Sequence, residues 1–217
     1  MLPLHLTPDR DRPLDVLCIG AHSDDIEIGC AGTLLGLLDR GYRLRLTWAV
    51  LSAPGARADE ARASAESLLR NKAELQVHVG AFSCSYFPSE YAALKDHLGD
   101  LRDRTSPDVI FTHALHDRHQ DHRLVAELTW QAWRDHLVLE YEIPKYEGDL
   151  GHPNVFVPVS RRIAESKIDH LTTHFGSQRT KDWFTSETFQ GLMRLRGIEC
   201  RAPEGYAEAF VARKVML

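Results

Sequence analysis

From Asp15 onward, short apolar runs rich in β-branched residues alternate with segments of helical periodicity, and this rhythm restricts the chain to few architectures. DVLCIG, Asp15 to Gly20, reads as a strand that stops at a glycine where polar residues begin. CAGTLLGLLD, from about residue 29 to Asp39, carries helical spacing and is followed by Gly41, a C-terminal stop. The alternation continues with strands at Leu44–Leu51, Leu75–Val79, Asp108–Thr112 and Leu137–Ile143, and helices at Ala58–Arg70, Leu94–Arg104 and about His122–Arg134. Beyond Pro144 the pattern loosens into a Pro- and Gly-containing stretch with an apolar segment at Val155–Val159. Helices at Arg161–His174 and Phe184–Arg196 and a last strand at Ala207–Ala212 follow. Strand–helix alternation of this kind implies an α/β, Rossmann-like three-layer fold: a mainly parallel sheet with helices on both faces.

The 217 residues, 43% of them hydrophobic, suit a single domain over 1–217. Lys and Arg number 26 against 31 Asp and Glu, a formal charge of −5, and no basic cluster offers a footprint for nucleic acid. The N-terminal MLPLHLTPDRDRPLDV lacks the apolar stretch of a signal peptide, and no apolar run is long enough to span a membrane. The four cysteines, at 18, 30, 84 and 200, form no CxxC pair and read as reduced thiols. A cytoplasmic protein is the expectation, with homo-oligomerisation left open.

Two segments concentrate residues able to bind metal: AHSDDIE at 21–27, after the first strand, and HDRHQDH at 116–122, after the fourth. Ligand sites of open α/β sheets form at the carboxyl ends of the strands flanking the switch point, so these two loops are expected to share one crevice. Imidazoles with a carboxylate, and positions left for water, suit a catalytic zinc ion. Asp24 and Asp25 are adjacent and cannot point the same way in an extended loop, so one can ligate while the other acts as a base. Each segment also has a plainer reading. An Asp-Asp pair before a helix caps it, and a His-rich loop is often only solvated surface. Their placement at matched strand ends favours a shared site. The glycines at 29, 32 and 36 do not form GxGxxG, and helix packing accounts for them better than a dinucleotide does.

AHSDDIEIGCAGT resembles the AHPDDE-type motif of the LmbE-like, or PIG-L type, N-acetylglucosaminyl deacetylases, and HQDH at 119–122 resembles their HPDH motif. A YAEAF-like ending at 206–210 extends the resemblance over most of the chain. The resemblance implies a zinc-dependent hydrolase that removes the N-acetyl group of an amino-sugar compound. It implies His22, Asp25 and His122 as ligands of one Zn2+ per chain, with Fe2+ or another divalent ion also able to occupy them. Asp24 matches the family's general base and His119 the histidine that stabilises the oxyanion or donates a proton, while Asp121 would orient a neighbouring imidazole. Arg57, in RADE at 57–60, matches a substrate-binding segment, with Arg62 as a competitor.

Three departures stand out. Ser23 and Gln120 replace prolines, and Asp117 occupies the position where some members place an oxyanion-contacting tyrosine. Sugar-contacting candidates in the C-terminal third are Lys145, Tyr146, Asn154, Gln178, Trp183 and Tyr206, each with a structural reading beside it. Two other classes retain the same ligands: a metal-dependent amidase or deacylase of longer acyl groups, and an inactive carbohydrate-binding module.

Overall fold

The computed structural model describes residue 6 and residues 12–216. The N-terminal stretch read for a targeting signal lies largely outside them. Seven strands form one sheet: β1 (Leu14–Gly20), β2 (Leu44–Val50), β3 (Glu74–Val79), β4 (Val109–His113), β5 (Leu137–Tyr141), β6 (Val155–Val159) and β7 (Tyr206–Ala212). Their order is β3-β2-β1-β4-β5-β7-β6. The first five are parallel, and β7 runs antiparallel to both β5 and β6. The mainly parallel, three-layer reading of the sequence is therefore the observed architecture, with an antiparallel edge made by the looser C-terminal third.

Side-chain alternation explains why both faces are covered. Val16 and Cys18 of β1 enter one apolar cluster, whereas Leu17 and Ile19 enter the other, and all four are buried. The first cluster packs beneath α1 (Asp25–Asp39), α2 (Ala56–Leu69), α5 (Arg161–His174) and α6 (Ser186–Cys200); the second beneath α3 (Tyr91–Arg104) and α4 (Gln120–Ala132). Among the described residues no helix is long and apolar enough to cross a membrane.

Packing governs two of the three glycines in α1. A Cβ at Gly29 would drive into the Tyr141 ring, whose hydroxyl donates to Ile19 O at 2.6 Å. One at Gly32 would lie 2.8 Å from Glu208 Oε1. Gly36 has only ordinary neighbours, so close packing does not explain it.

On the α1–α2–α5 face, Glu27 is fully buried and accepts a hydrogen bond from Ser64 Oγ, which also lies 2.8 Å from His170 Nε2. Burial, only partly offset by Ser64, raises the Glu27 carboxyl to about 8, so it is neutral at pH 7. Burial and then the neighbouring His174 charge lower His170 to about 4. A histidine depressed in the fold destabilises the protein as pH falls below its unfolded value of about 6.5, because there the unfolded chain binds a proton that the folded chain refuses. This loss accumulates down to about 4. Discounted for partial exposure, it amounts to roughly 1–2 kcal/mol. Denaturant titrations at pH 7 and pH 5 should show a smaller acid loss for His170→Gln than for wild type; equal losses would remove His170 as the cause.

Candidate functional site

β1 and β4 are neighbours, and the chain leaves them in opposite directions across the sheet, so the loops beyond their carboxyl ends meet at the switch point. His22 on the first loop lies with Nδ1 3.1 Å from Nε2 of His122, which sits in the first turn of α4. Asp25 Oδ2 lies 3.5 Å from that His22 nitrogen and 3.6 Å from His122 Nε2. Three ligand atoms thus form a near-equilateral triangle. Tetrahedral coordination with bonds of about 2.0–2.1 Å requires edges of about 3.3 Å, so the triangle is the size a zinc-class ion needs.

α1 begins at Asp25, four residues before the sequence pattern placed it, so Asp24 is the N-cap. Its side chain makes no capping hydrogen bond. The plain capping reading therefore fails for Asp24. It is buried, with Ser23 Oγ at 3.4 Å and Arg57 Nη2 at 3.9 Å. The adjacent carboxylates are driven apart electrostatically. Burial and then the Asp25 charge raise Asp24 to about 6, with Arg57 opposing. Burial opposes ionisation of Asp25, but the electrostatic coupling to His122 and His113 and the hydrogen bonds from His113 and His22 outweigh it and hold the carboxyl well below the usual range. One carboxylate is thus suited to ligate and the other to exchange a proton near neutrality.

His122 is clamped. Its ring stacks between His113, at 3.9 Å between centroids, and His119, at 4.5 Å. Its Nδ1 lies 2.9 Å from Asp117 Oδ2, which leaves Nε2 as the free ligand atom. Asp117 is in turn 3.0 Å from the buried Lys145 Nζ, and Lys145 bonds both oxygens of Asp149. Although burial opposes ionisation of Asp117, the His122 hydrogen bond and the neighbouring His113 and Lys145 hold it well below the usual range. Burial and the His113 charge push His122 down to about 3, which keeps it neutral. His22 is buried too, but the Asp121, Asp25 and Cys84 contacts hold it well above 6.5.

Asp121 Oδ2 lies 3.1 Å from His22 Nε2, and the carboxylate is itself fixed by the backbone N–H groups of Ser85 at 2.6 Å and Phe87 at 3.1 Å. The helix α4 starts at Gln120, two residues earlier than its periodicity suggested, and His119 is its N-cap: Nδ1 accepts from Asp121 N at 3.2 Å. This arrangement puts the His119 proton on Nε2. Burial and the His22 charge lower its pKa further, so the side chain offers a neutral N–H donor rather than a cation.

The sequence reading assigned no role to His113, and it treated Asp117 only as a missing tyrosine. His113, the last residue of β4, is fully buried with Nε2 2.9 Å from Ala21 N and 3.1 Å from Asp25 Oδ2. Its position at a strand's carboxyl end was the available signal. Of the two arginines, Arg57 is the one beside Asp24, and its Nε is buried with no partner, whereas Arg62 is exposed. Among the sugar-contacting candidates, Lys145 is committed to Asp117 and Asp149, and Asn154 to both backbone groups of Ala212. Tyr206 is held by Gln190 and Arg161. Trp183 packs against the first apolar cluster, with the Phe184 ring 5.6 Å away and Lys181 Nζ 5.3 Å from its centroid.

A doubly wound sheet with a His–Asp–His triangle and a buried carboxylate beside it at the switch point defines an α/β protein with a candidate metal centre. Residues 17–133, more than half of the chain, match the family described as PIG-L, GlcNAc-PI de-N-acetylase, and the chain belongs to that family. Solved structures share the fold at low identity. The conserved protein TT1542 from Thermus thermophilus is 20% identical, with a TM-score of 0.70 over 94% of this chain and 96% of that one. GalB, the 4-carboxy-2-hydroxymuconate hydratase from Pseudomonas putida, is 18% identical, with a TM-score of 0.72 over 94% and 98%. The N,N'-diacetylchitobiose deacetylase from Pyrococcus horikoshii is 20% identical, with a TM-score of 0.67 over 91% and 83%. A hydratase and a deacetylase on one scaffold mean that the reaction has to be argued from the site.

Proposed function

We propose that the protein is a metal-dependent N-deacetylase, hydrolysing the N-acetyl group of an N-acetylglucosamine-type sugar or sugar conjugate to the free amine and acetate. The observation that carries this reading is the triangle of His22, Asp25 and His122 beside Asp24, a buried carboxylate with no ligand position of its own. The family's description as a de-N-acetylase supports the amide as the scissile bond. Two neutral-capable imidazoles and one carboxylate fit one Zn2+ per chain, and Fe2+ fits the same set. A divalent ion held by these residues would supply Lewis-acid polarisation of an amide carbonyl and would lower the pKa of water towards about 7.

The chain's own groups supply the rest. Asp24 accepts the proton of the attacking water and returns it to the departing amine. The Nε2–H of His119 donates to the oxygen that gains charge as the carbonyl carbon becomes tetrahedral. Asp121 and Asp117 hold the His22 and His122 rings, and Arg57 binds the substrate beside Asp24. With Asp117 taken up by His122 and Lys145, His119 is the side chain left to meet the oxyanion.

The test is release of acetate by metal-replete protein from a panel of N-acetylated sugars and conjugates, set against the same compounds with longer acyl chains. Turnover confined to longer acyl groups would make the protein a deacylase. No release at all, with one ion bound, would overturn the reading in favour of a binding module. Support of His122 is testable separately: Asp117→Ala should weaken metal affinity by about 10–100-fold, measured by competition with a chelator. Unchanged affinity would mean that His122 needs no orienting carboxylate.

A further inference from the structure

The His22 ring has two polar edges, and only one faces the triangle. Its Nε2 edge looks towards Asp121 Oδ2 at 3.1 Å, and Cys84 completes a second group: the ligand atoms of His22, Cys84 and Asp121 all lie within 4.8 Å of one another. Cys84 is not there by accident of a loose loop. Its neighbours are tied to the same carboxylate, with Ser85 N donating to Asp121 Oδ2 at 2.6 Å and Phe87 N to Oδ1 at 3.1 Å, while Gln120 Nε2 donates to Ser85 O at 3.0 Å. It is also the one cysteine that is not buried; Cys18, Cys30 and Cys200 are.

We propose that His22, Cys84 and Asp121 form a second metal site, for a soft divalent ion such as Zn2+ or Cd2+, and that its occupation inhibits the enzyme. Nitrogen, sulfur and oxygen donors suit a tetrahedral ion, and the sulfur selects Zn2+ or Cd2+ over Mg2+, Ca2+ and Mn2+. Inhibition follows from the shared ring. Binding through Nε2 and the Cys84 sulfur would release the Nε2 and thiol protons to solvent and replace the N–H that the ring otherwise donates to Asp121, so the basicity and orientation of His22 in the triangle would change. Ion binding at this site follows from the geometry of His22, Cys84 and Asp121 alone, whereas the inhibition rests on the proposed deacetylase activity.

The experiment is titration of zinc-replete protein with Cd2+, followed by the ultraviolet thiolate-to-cadmium charge-transfer band. None of the first-site ligands is a thiol, so the band reports Cys84 alone. Wild type should develop the band up to one equivalent, and Cys84→Ser and Cys84→Ala should not, while both variants still bind the first Zn2+. The concentration of excess Zn2+ that halves acetate release should rise at least about tenfold in both variants. A band that persists in the variants, no band in wild type, or unchanged inhibition by excess Zn2+ would overturn the proposal. If the band appears but no first equivalent binds, the second site stands and the His22–Asp25–His122 reading falls instead. Cys84 is only partly buried, and circular dichroism of the two variants verifies that the fold is retained.

Discussion

Asp24→Asn is expected to lower turnover by roughly two to four orders of magnitude while the protein keeps its metal. The change preserves volume and shape but removes the basic oxygen. Nothing in the triangle is lost, because the edges among His22, Asp25 and His122 do not involve Asp24. The same substitution removes a buried negative charge next to Asp25, so the metal site itself is not electrostatically harmed except through a weaker pull on the cation. His122→Ala is the contrasting case: it deletes a ligand and the ring stacked between His113 and His119, and metal should be lost with activity. Metal content and kcat are measured on the same preparations. A fully active Asp24→Asn protein would show that the base lies elsewhere, and loss of metal in that variant would move Asp24 into the ligand set.

The order of elements from β1 to β5 was legible because each strand is an apolar run and each helix has its own period, both local properties of the chain. Helix starts were less so. α1 begins at Asp25 and α4 at Gln120, inside the polar motifs, because helix N-termini are stabilised there by acidic first-turn residues and by the His119 cap, features that apolar periodicity does not report. In the candidate site, the residues that the structure brings together at the switch point stood out by type and spacing, since AHSDDIE and HDRHQDH each hold several potential donors in a short stretch of chain. Of the residues packed behind them, Asp121 was read from the motif, whereas His113, Lys145 and Cys84 were not. His113 lies in a strand, Lys145 lies beyond β5 and Cys84 beyond β3, and what brings each to the site is sheet order and loop closure, which are long-range facts. Asp117 sat in plain view, yet its role depends on the ring of His122 five residues away turning Nδ1 towards it.

The YAEAF ending shows how a distant segment reaches the same site, and it leads to the largest expected loss of stability. Glu208, on β7, is buried and accepts from the α1 amides of Gly32 at 2.8 Å and Thr33 at 2.6 Å. It also bonds the buried Lys167 Nζ of α5 at 2.6 Å, and that ammonium donates to Ile28 O at 2.5 Å. Sheet edge, α5 and the helix that carries Asp25 are thereby joined at one carboxylate. Glu208→Ala leaves the ammonium with a carbonyl and no counter-charge, and breaking a buried pair in this way costs about 3–5 kcal/mol. The double variant Lys167→Met, Glu208→Gln is expected to lose less than Glu208→Ala, because the cost lies in the uncompensated charge more than in the missing attraction. Equilibrium denaturation of the three proteins measures the difference at unchanged m-value. A Glu208→Ala protein within about 0.5 kcal/mol of wild type, the range of an ordinary surface change, would mean that Lys167 finds water or another acceptor and that α1 is held by its apolar face alone.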